Sequence, residues 1–349
     1  VRPLVVVLVL RAAVHAEDPV PALLAQLDSA KARDRVLATR ALGRLDGDRA
    51  LTAVQRAQLD ESAEVQHEAA LALARAGRAE AATVGILVRS LDHDDWYVRW
   101  QACLGLKGAG PVGAKQSLPA LVKALGDGPA DVGREAALAL AAVGPRDRRA
   151  LAALAAALTR QQTGRPALHA LAQSGPSEGD PPDVSGTVLA HLVRSLVVGD
   201  EDVRNDARKA LSALGFSQLA CLVTVDTWEW THTVNGVLTD KKVHHATKFG
   251  LPSDDKPRDW DDLFRVLTGP DAAPILNALS TIQFANDAQD RLQETLRGGR
   301  LHEQRCAVVL LPHLVTHLGS AEATLMRAGE NPDLQDLAAR ALRDLAARK

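Results

Sequence analysis

The chain has 349 residues, 46% hydrophobic but only 3% aromatic, and a formal net charge of −2. Its apolar residues are mostly Ala, Leu and Val, a mix that suits thin, closely stacked helices better than a β-sandwich, and the length fits two ordinary domains or one long repeat array. The charge balance supplies no basic excess to neutralise a phosphate backbone, which argues against general nucleic-acid binding.

The first sixteen residues read as a cleaved secretory signal. Arg2 precedes PLVVVLVL, and Val14-His15-Ala16 supplies small residues at the −3 and −1 positions before Glu17. The alternative is an apolar helix or strand covering the first repeat. Cleavage would remove Arg2 and Arg11, changing 41 cations against 43 anions to 39 against 43, a charge of −4. The expected destination is periplasmic or extracellular. No later apolar run approaches the roughly 20 residues of a membrane span.

Residues 17–218 read as six helical hairpins. The clearest spans Leu121–Gly144, LVKALGDGPADVGREAALALAAVG. Leu121, Val122 and Leu125 predict the apolar stripe of a first helix. Val132, Ala136, Leu140 and Val143 predict that of a second, which Gly144 closes in a left-handed conformation. Gly126, Gly128 and Pro129 prevent one long helix. The same pattern recurs: LVRSL at 87–91 and at 192–196 is followed by Val98 and Val203, and closing glycines stand at 77, 110, 144 and 175. Such a period means stacked helical hairpins. Ser174–Gly186 reads as a loop within the array. Cys103, Cys221 and Cys306 lack CxxC spacing and read as small core residues, with no disulfide framework or zinc site.

The second-helix pattern, an Asp shortly before Val-Arg, then Ala, Ala-Leu and Gly, resembles HEAT repeats, and the short period looks most like the HEAT-like repeats named after phycobilisome lyases. That resemblance implies an all-α fold, an α-solenoid of about eight to nine helical hairpins whose second helices line the concave surface. It also implies protein binding as the commonest role, with bilin attachment or nucleic-acid binding in a minority. No residue matches a catalytic signature of those minorities.

Residues 219–260 interrupt the array. Asn235-Gly236 is a hairpin-turn signal. With it at the tip, Val234 falls opposite Val237, Trp230 opposite Lys241, Glu229 opposite Lys242, Trp228 opposite Val243 and Asp226 opposite His245. Trp228 and Trp230 then share an apolar face that must pack on the solenoid or on a partner. Residues 261–349 read as further repeats, with pairs over 263–282, 288–318 and 321–349.

Trp100 lies about 200° round its helix from Val98 and so points away from the core, with Trp96 one turn earlier. The equivalent position elsewhere holds His67, Arg134, Arg165 and Asn205, a polar ladder with one large aromatic in it. Trp96, Trp100, Arg134, Trp228 and Trp230 are therefore the candidate partner-binding residues, competing with a packing role for Trp96. His232, His244 and His245 do not share a face of the hairpin. His313 and His317, at i and i+4, have no third ligand at helical spacing apart from a loosely placed His302 or Glu303, so neither a metal nor a cofactor is expected. Asp92, Asp94 and Asp95 before Arg99, and Asp200 and Asp202 before Arg204, read as helix caps and ion-pair partners rather than catalytic acids. The function expected is a non-catalytic exported repeat scaffold that binds a protein or peptide on its concave face and insertion. The alternative is a lyase-like enzyme or enzyme accessory with a small ligand in the groove. Oligomeric state is not readable.

Overall fold

The computed structural model describes residues 18–347 apart from 177–181, 199, 235–236, 253–256, 271, 283 and 285–287, and only the backbone of 198, 225–234, 237–246 and 257–259. The expected signal at 1–16 and the Asn235-Gly236 turn lie outside the described residues. Two compact units divide between Gly144 and Pro145.

The first unit holds four helical hairpins: α1 (Val20–Leu27) with α2 (Ala32–Leu42), α3 (Asp48–Ala57) with α4 (Ala63–Arg75), α5 (Ala81–Ser90) with α6 (Trp96–Ala109), and α7 (Ala114–Ala124) with α8 (Ala130–Val143). Helices this short are marginal alone in water, and burial of one face makes them stable. The buried faces recur at helical spacing: Val65, Ala69 and Leu73 on α4, Ala102, Leu106 and Ala109 on α6, Val132, Ala136, Leu140 and Val143 on α8. Alanine is small enough for the second helices α2, α4, α6 and α8 to pack consecutively against one another.

Three expectations for these hairpins change. Val122 is 37% exposed, and the stripe of α7 is formed by Leu118, Leu121 and Ala124, with Leu125 just after the helix. Val98 is half-buried, whereas Val65 and Val132 at the same position of α4 and α8 are fully buried. Gly144 has φ −138°, whereas the equivalent Gly77 and Gly110 are left-handed at +65° and +61°. A following proline does not explain the difference, because Gly110 precedes Pro111 and keeps its positive φ.

The second unit continues with α9 (Arg148–Ala157), α10 (Gly164–Ser174), α11 (Gly186–Val198), α12 (Glu201–Ala213) and the short α13 (Ser217–Cys221). Cys221 is exposed, not a core residue, while Cys103 and Cys306 are buried as expected. Strands β1 (Val223–Val234) and β2 (Val237–Phe249) form an antiparallel hairpin whose first strand packs on α11 and α13. The pairing Val234 to Val237 is as expected at the tip. A bulge between His232 and Thr233 then shifts the register by one, so Trp230 pairs with Lys242, Trp228 with His244, Glu229 with Val243 and Asp226 with Ala246. One inserted residue exchanges the faces of everything beyond it.

After the hairpin come α14 (Pro257–Thr268), α15 (Ala272–Ser280), α16 (Ala288–Gly298), α17 (Leu301–Leu310), a 3-10 turn at Leu311–His313, α18 (Leu318–Ala328) and α19 (Gln335–Ala346). The pairs expected at 263–282, 288–318 and 321–349 are present, but their packing order differs from the first unit. Helix α15 packs on α11, and α14, α17 and α19 pack consecutively. Trp260, at first sight part of the aromatic insertion, is a core residue of α14 at 1% exposure, and Phe249 is buried too. His313 ends the 3-10 turn and His317 precedes α18, so the two do not share a helix.

Candidate partner-binding site

The second helices of the first unit are joined by ion pairs that follow the repeat. Arg35 in the first hairpin and Arg99 in the third occupy the same place. Each reaches into the turn before the next second helix: Arg35 grips Asp60 through two nitrogens at 2.8 and 2.9 Å, and Arg99 grips Asp127 at 2.7 and 2.8 Å. A second series uses the residue three places after the valine that marks each second helix. Glu68 pairs with Arg40 and Glu135 with Lys107. In the second unit Asp206 pairs with His169 at 3.0 Å. The reading of the acidic residues as caps and partners holds: Asp95 accepts from the Tyr97 N–H at 2.9 Å and Asp200 from that of Val203 at 2.9 Å.

Against this neutralised surface the start of α6 stands out. Trp96 is 44% exposed and Tyr97 49%, and Trp100 is half-buried beside them. Tyr97 stacks on Trp100 with ring centroids 5.6 Å apart and 26° between planes, and Trp96 meets Tyr97 edge-on at 6.0 Å. Each geometry suits the ring quadrupoles. The buried face of α6 is already filled by Ala102, Cys103, Gly105, Leu106 and Ala109. Trp96, Tyr97 and Trp100 line a shallow cleft of about 370 Å³ with Asp131, Arg134 and Glu135 of α8. Trp96, Trp100 and Arg134 therefore come together. Tyr97, which completes the cluster, was signalled by its place between two tryptophans. Arg134 is held at 2.6 Å by Asp131.

The predicted ladder breaks at His67. That side chain is buried, with Nδ1 2.9 Å from the Ser90 hydroxyl. The hydroxyl donates to the Ile86 carbonyl at 3.0 Å, so the imidazole Nδ1–H is the donor in the first contact. Burial pushes the His67 pKa below histidine's ordinary value, with nearby Glu68 pulling the other way. Below pH 6.5 an unfolded chain therefore takes up a proton before the folded one does. The stability that depends on neutral His67 is present above that pH and is lost as the pH falls towards the lowered value. His67→Gln is expected to lose less melting temperature than the wild type between pH 7.5 and 5, and an equal loss would contradict this account. Arg165 and Asn205, the other ladder members, are exposed in the second unit.

The side chains of Trp228 and Trp230 are outside the described residues, and their backbone places them in β1. Burial raises the Cys103 thiol to about 12, with Glu135 adding to the effect, so this sulfur is not a ready nucleophile. A larger cleft of about 710 Å³ lies in the second unit, where Pro312 follows the end of α17 while α15 and α19 wall it in. Asn277, His313, Arg340 and Asp344 give it a polar side, and Leu276 and Leu337 an apolar one. No group of three or more potential metal ligands occurs among the described residues. Nor is any helix there long and apolar enough to cross a membrane.

The family model for HEAT repeats matches residues 84–174. This stretch is built of HEAT repeats. It begins within α5 and includes the aromatic cluster, so the candidate site stands on a HEAT hairpin. Among solved structures, one engineered protein is 22% identical over 58% of this chain and 98% of its own, with a TM-score of 0.42. Another is 19% identical over 95% of this chain and 89% of its own, also at 0.42. A designed armadillo repeat protein in complex with the peptide (KR)4 is 20% identical over 56% of this chain and 100% of its own, again at 0.42. No curated protein matches the chain.

Proposed function

We propose that the protein is a non-catalytic HEAT-repeat scaffold, exported from the cell, that docks a protein or peptide segment on the Trp96–Tyr97–Trp100 step of α6. The observation that carries this reading is the placement of three mutually packed aromatic rings outside a core that is already complete without them. Rings held by one another lose little freedom on binding, and aromatic anchors of this kind dominate interface energies. Arg134 and the Trp228/Trp230 hairpin are further contacts in the proposal.

The test is a pull-down from the native exported fraction with wild type and a Trp96→Ala/Trp100→Ala variant. The variant is expected to lose the partner, with affinity falling by about 2–4 kcal/mol at a hot spot, while circular dichroism and melting stay close to wild type. Retention of the partner by the variant overturns the docking site, and recovery of the chain from the cytosol alone overturns export. The 710 Å³ cleft beside α17 is the single observation that favours the alternative, a small-ligand site of an enzyme or enzyme accessory.

A further inference from the structure

We infer that the segment taken by the α6 step is basic, with a Lys or Arg side chain laid against the exposed aromatic faces. The inference rests on the docking role proposed above and specifies its chemistry.

Charge pairing carries it. On α6 and α8 every cation is committed: Arg99 to Asp127, Lys107 to Glu135 and Arg134 to Asp131. Within α6, α8 and the turns that precede them, the carboxylates with no cation at ion-pair distance among the described residues are Asp94 and Asp95, so the uncompensated charge there is negative. Both stand beside the rings, immediately before Trp96. Asp94 and Asp95 already bear on Arg99, but that guanidinium is turned inward to Asp127 and to the backbone carbonyls of His93 and Asp94, and is mostly buried.

An acidic segment fits less well. The free N–H groups at the start of α6 would attract an anion, but the Asp95 carboxylate already accepts from one of them and supplies negative charge there. A cation gains twice, from the negative ring faces and from the carboxylates beside them. Asp131 and Glu135 line the same cleft.

The experiment measures binding of three fluorescent peptides of equal length to the full chain by anisotropy: one with alternating Lys, one with Glu in their place and one with Ser. The Lys peptide is expected to bind about tenfold more tightly than the Ser peptide, the scale of a cation–aromatic contact with flanking charge. The Glu peptide is expected to bind most weakly. The preference is expected to shrink in 0.5 M salt and to fall severalfold in an Asp94→Lys variant whose melting temperature is unchanged. Trp100→Ala is expected to weaken the Lys peptide as well. Equal or tighter binding of the Ser or Glu peptide, still sensitive to Trp100→Ala, overturns the basic preference and leaves the docking site standing. Lys-peptide binding that ignores Trp100→Ala is diffuse charge attraction and overturns both. Absence of binding by all three peptides overturns the inference.

Discussion

Asp127→Ala is expected to cost about 2–4 kcal/mol, as removal of one partner from a largely buried ion pair does. The Asp127 and Arg99 side chains are only 11% and 17% exposed. Truncating the carboxylate therefore leaves a guanidinium with little water to replace it. The loss is expected to fall on one joint, because Asp127 belongs to the turn before α8 and Arg99 to α6. Hydrogen exchange is expected to quicken in α6 and α8 before it does in α2. The same change reaches the aromatic step indirectly, since Arg99 also donates to the carbonyls of His93 and Asp94, each at 2.8 Å. Those bonds fix the turn that delivers Trp96. Two controls separate burial from mere charge. Asp92→Ala breaks an equally short pair with Lys123, but both side chains are about two-thirds exposed or more, so a change within about 0.5 kcal/mol is expected. The double variant Arg99→Met/Asp127→Leu is expected to regain much of the loss, because the stranded charge is gone. Denaturant melts of all four proteins decide the matter. A loss from Asp92→Ala matching that from Asp127→Ala would refute the burial argument.

The repeat was legible because each helix must hide a face, and a hidden face leaves a periodic trace in sequence. Val132, Ala136 and Leu140 are all fully buried, and the same frame placed Trp100 away from the core. It also showed why Asp and Arg flank the turns, although not which Asp an Arg would choose. Arg99 ignores the three carboxylates just before it for ion pairing and takes Asp127, 28 residues away, whose two oxygens accept from two of its nitrogens. Single-residue effects escaped the pattern. Gly144 took a negative φ where Gly77 and Gly110 did not, and a one-residue bulge moved Trp228 from Val243 to His244, because local backbone geometry overrides a period. His67 was misplaced for a different reason. Its neighbour Ser90 offers a buried hydrogen bond, and no spacing within one helix reveals a partner on another. Trp260 falls in the insertion by sequence although it is buried, because aromatics near a hairpin look alike in sequence whether they point to the core or away from it.

Gly105 provides the sharpest test of how the core sets the step above it. A Cβ built there would lie 2.9 Å from one Leu71 methyl and 3.0 Å from both methyls of Leu87, closer than side chains pack. The glycine therefore lets α6 seat against α4 and α5 on the face opposite Trp100. Alanine at 105 recovers roughly 1 kcal/mol of helix propensity, and the leucine methyls it meets are the mobile ends of their side chains, so Gly105→Ala is expected to come out near neutral. Valine adds two further methyls that those leucines have no room to yield to. Gly105→Val is expected to lose about 1–3 kcal/mol by overpacking, read as a lower denaturation midpoint. It is also expected to weaken partner binding although residue 105 touches no partner, because lifting α6 moves Trp96, Tyr97 and Trp100 relative to Asp131 and Glu135 on α8. A destabilised Gly105→Val that binds with wild-type affinity would mean that the rings act independently of the neighbouring helix. The docking surface would then be α6 alone rather than the cleft between α6 and α8.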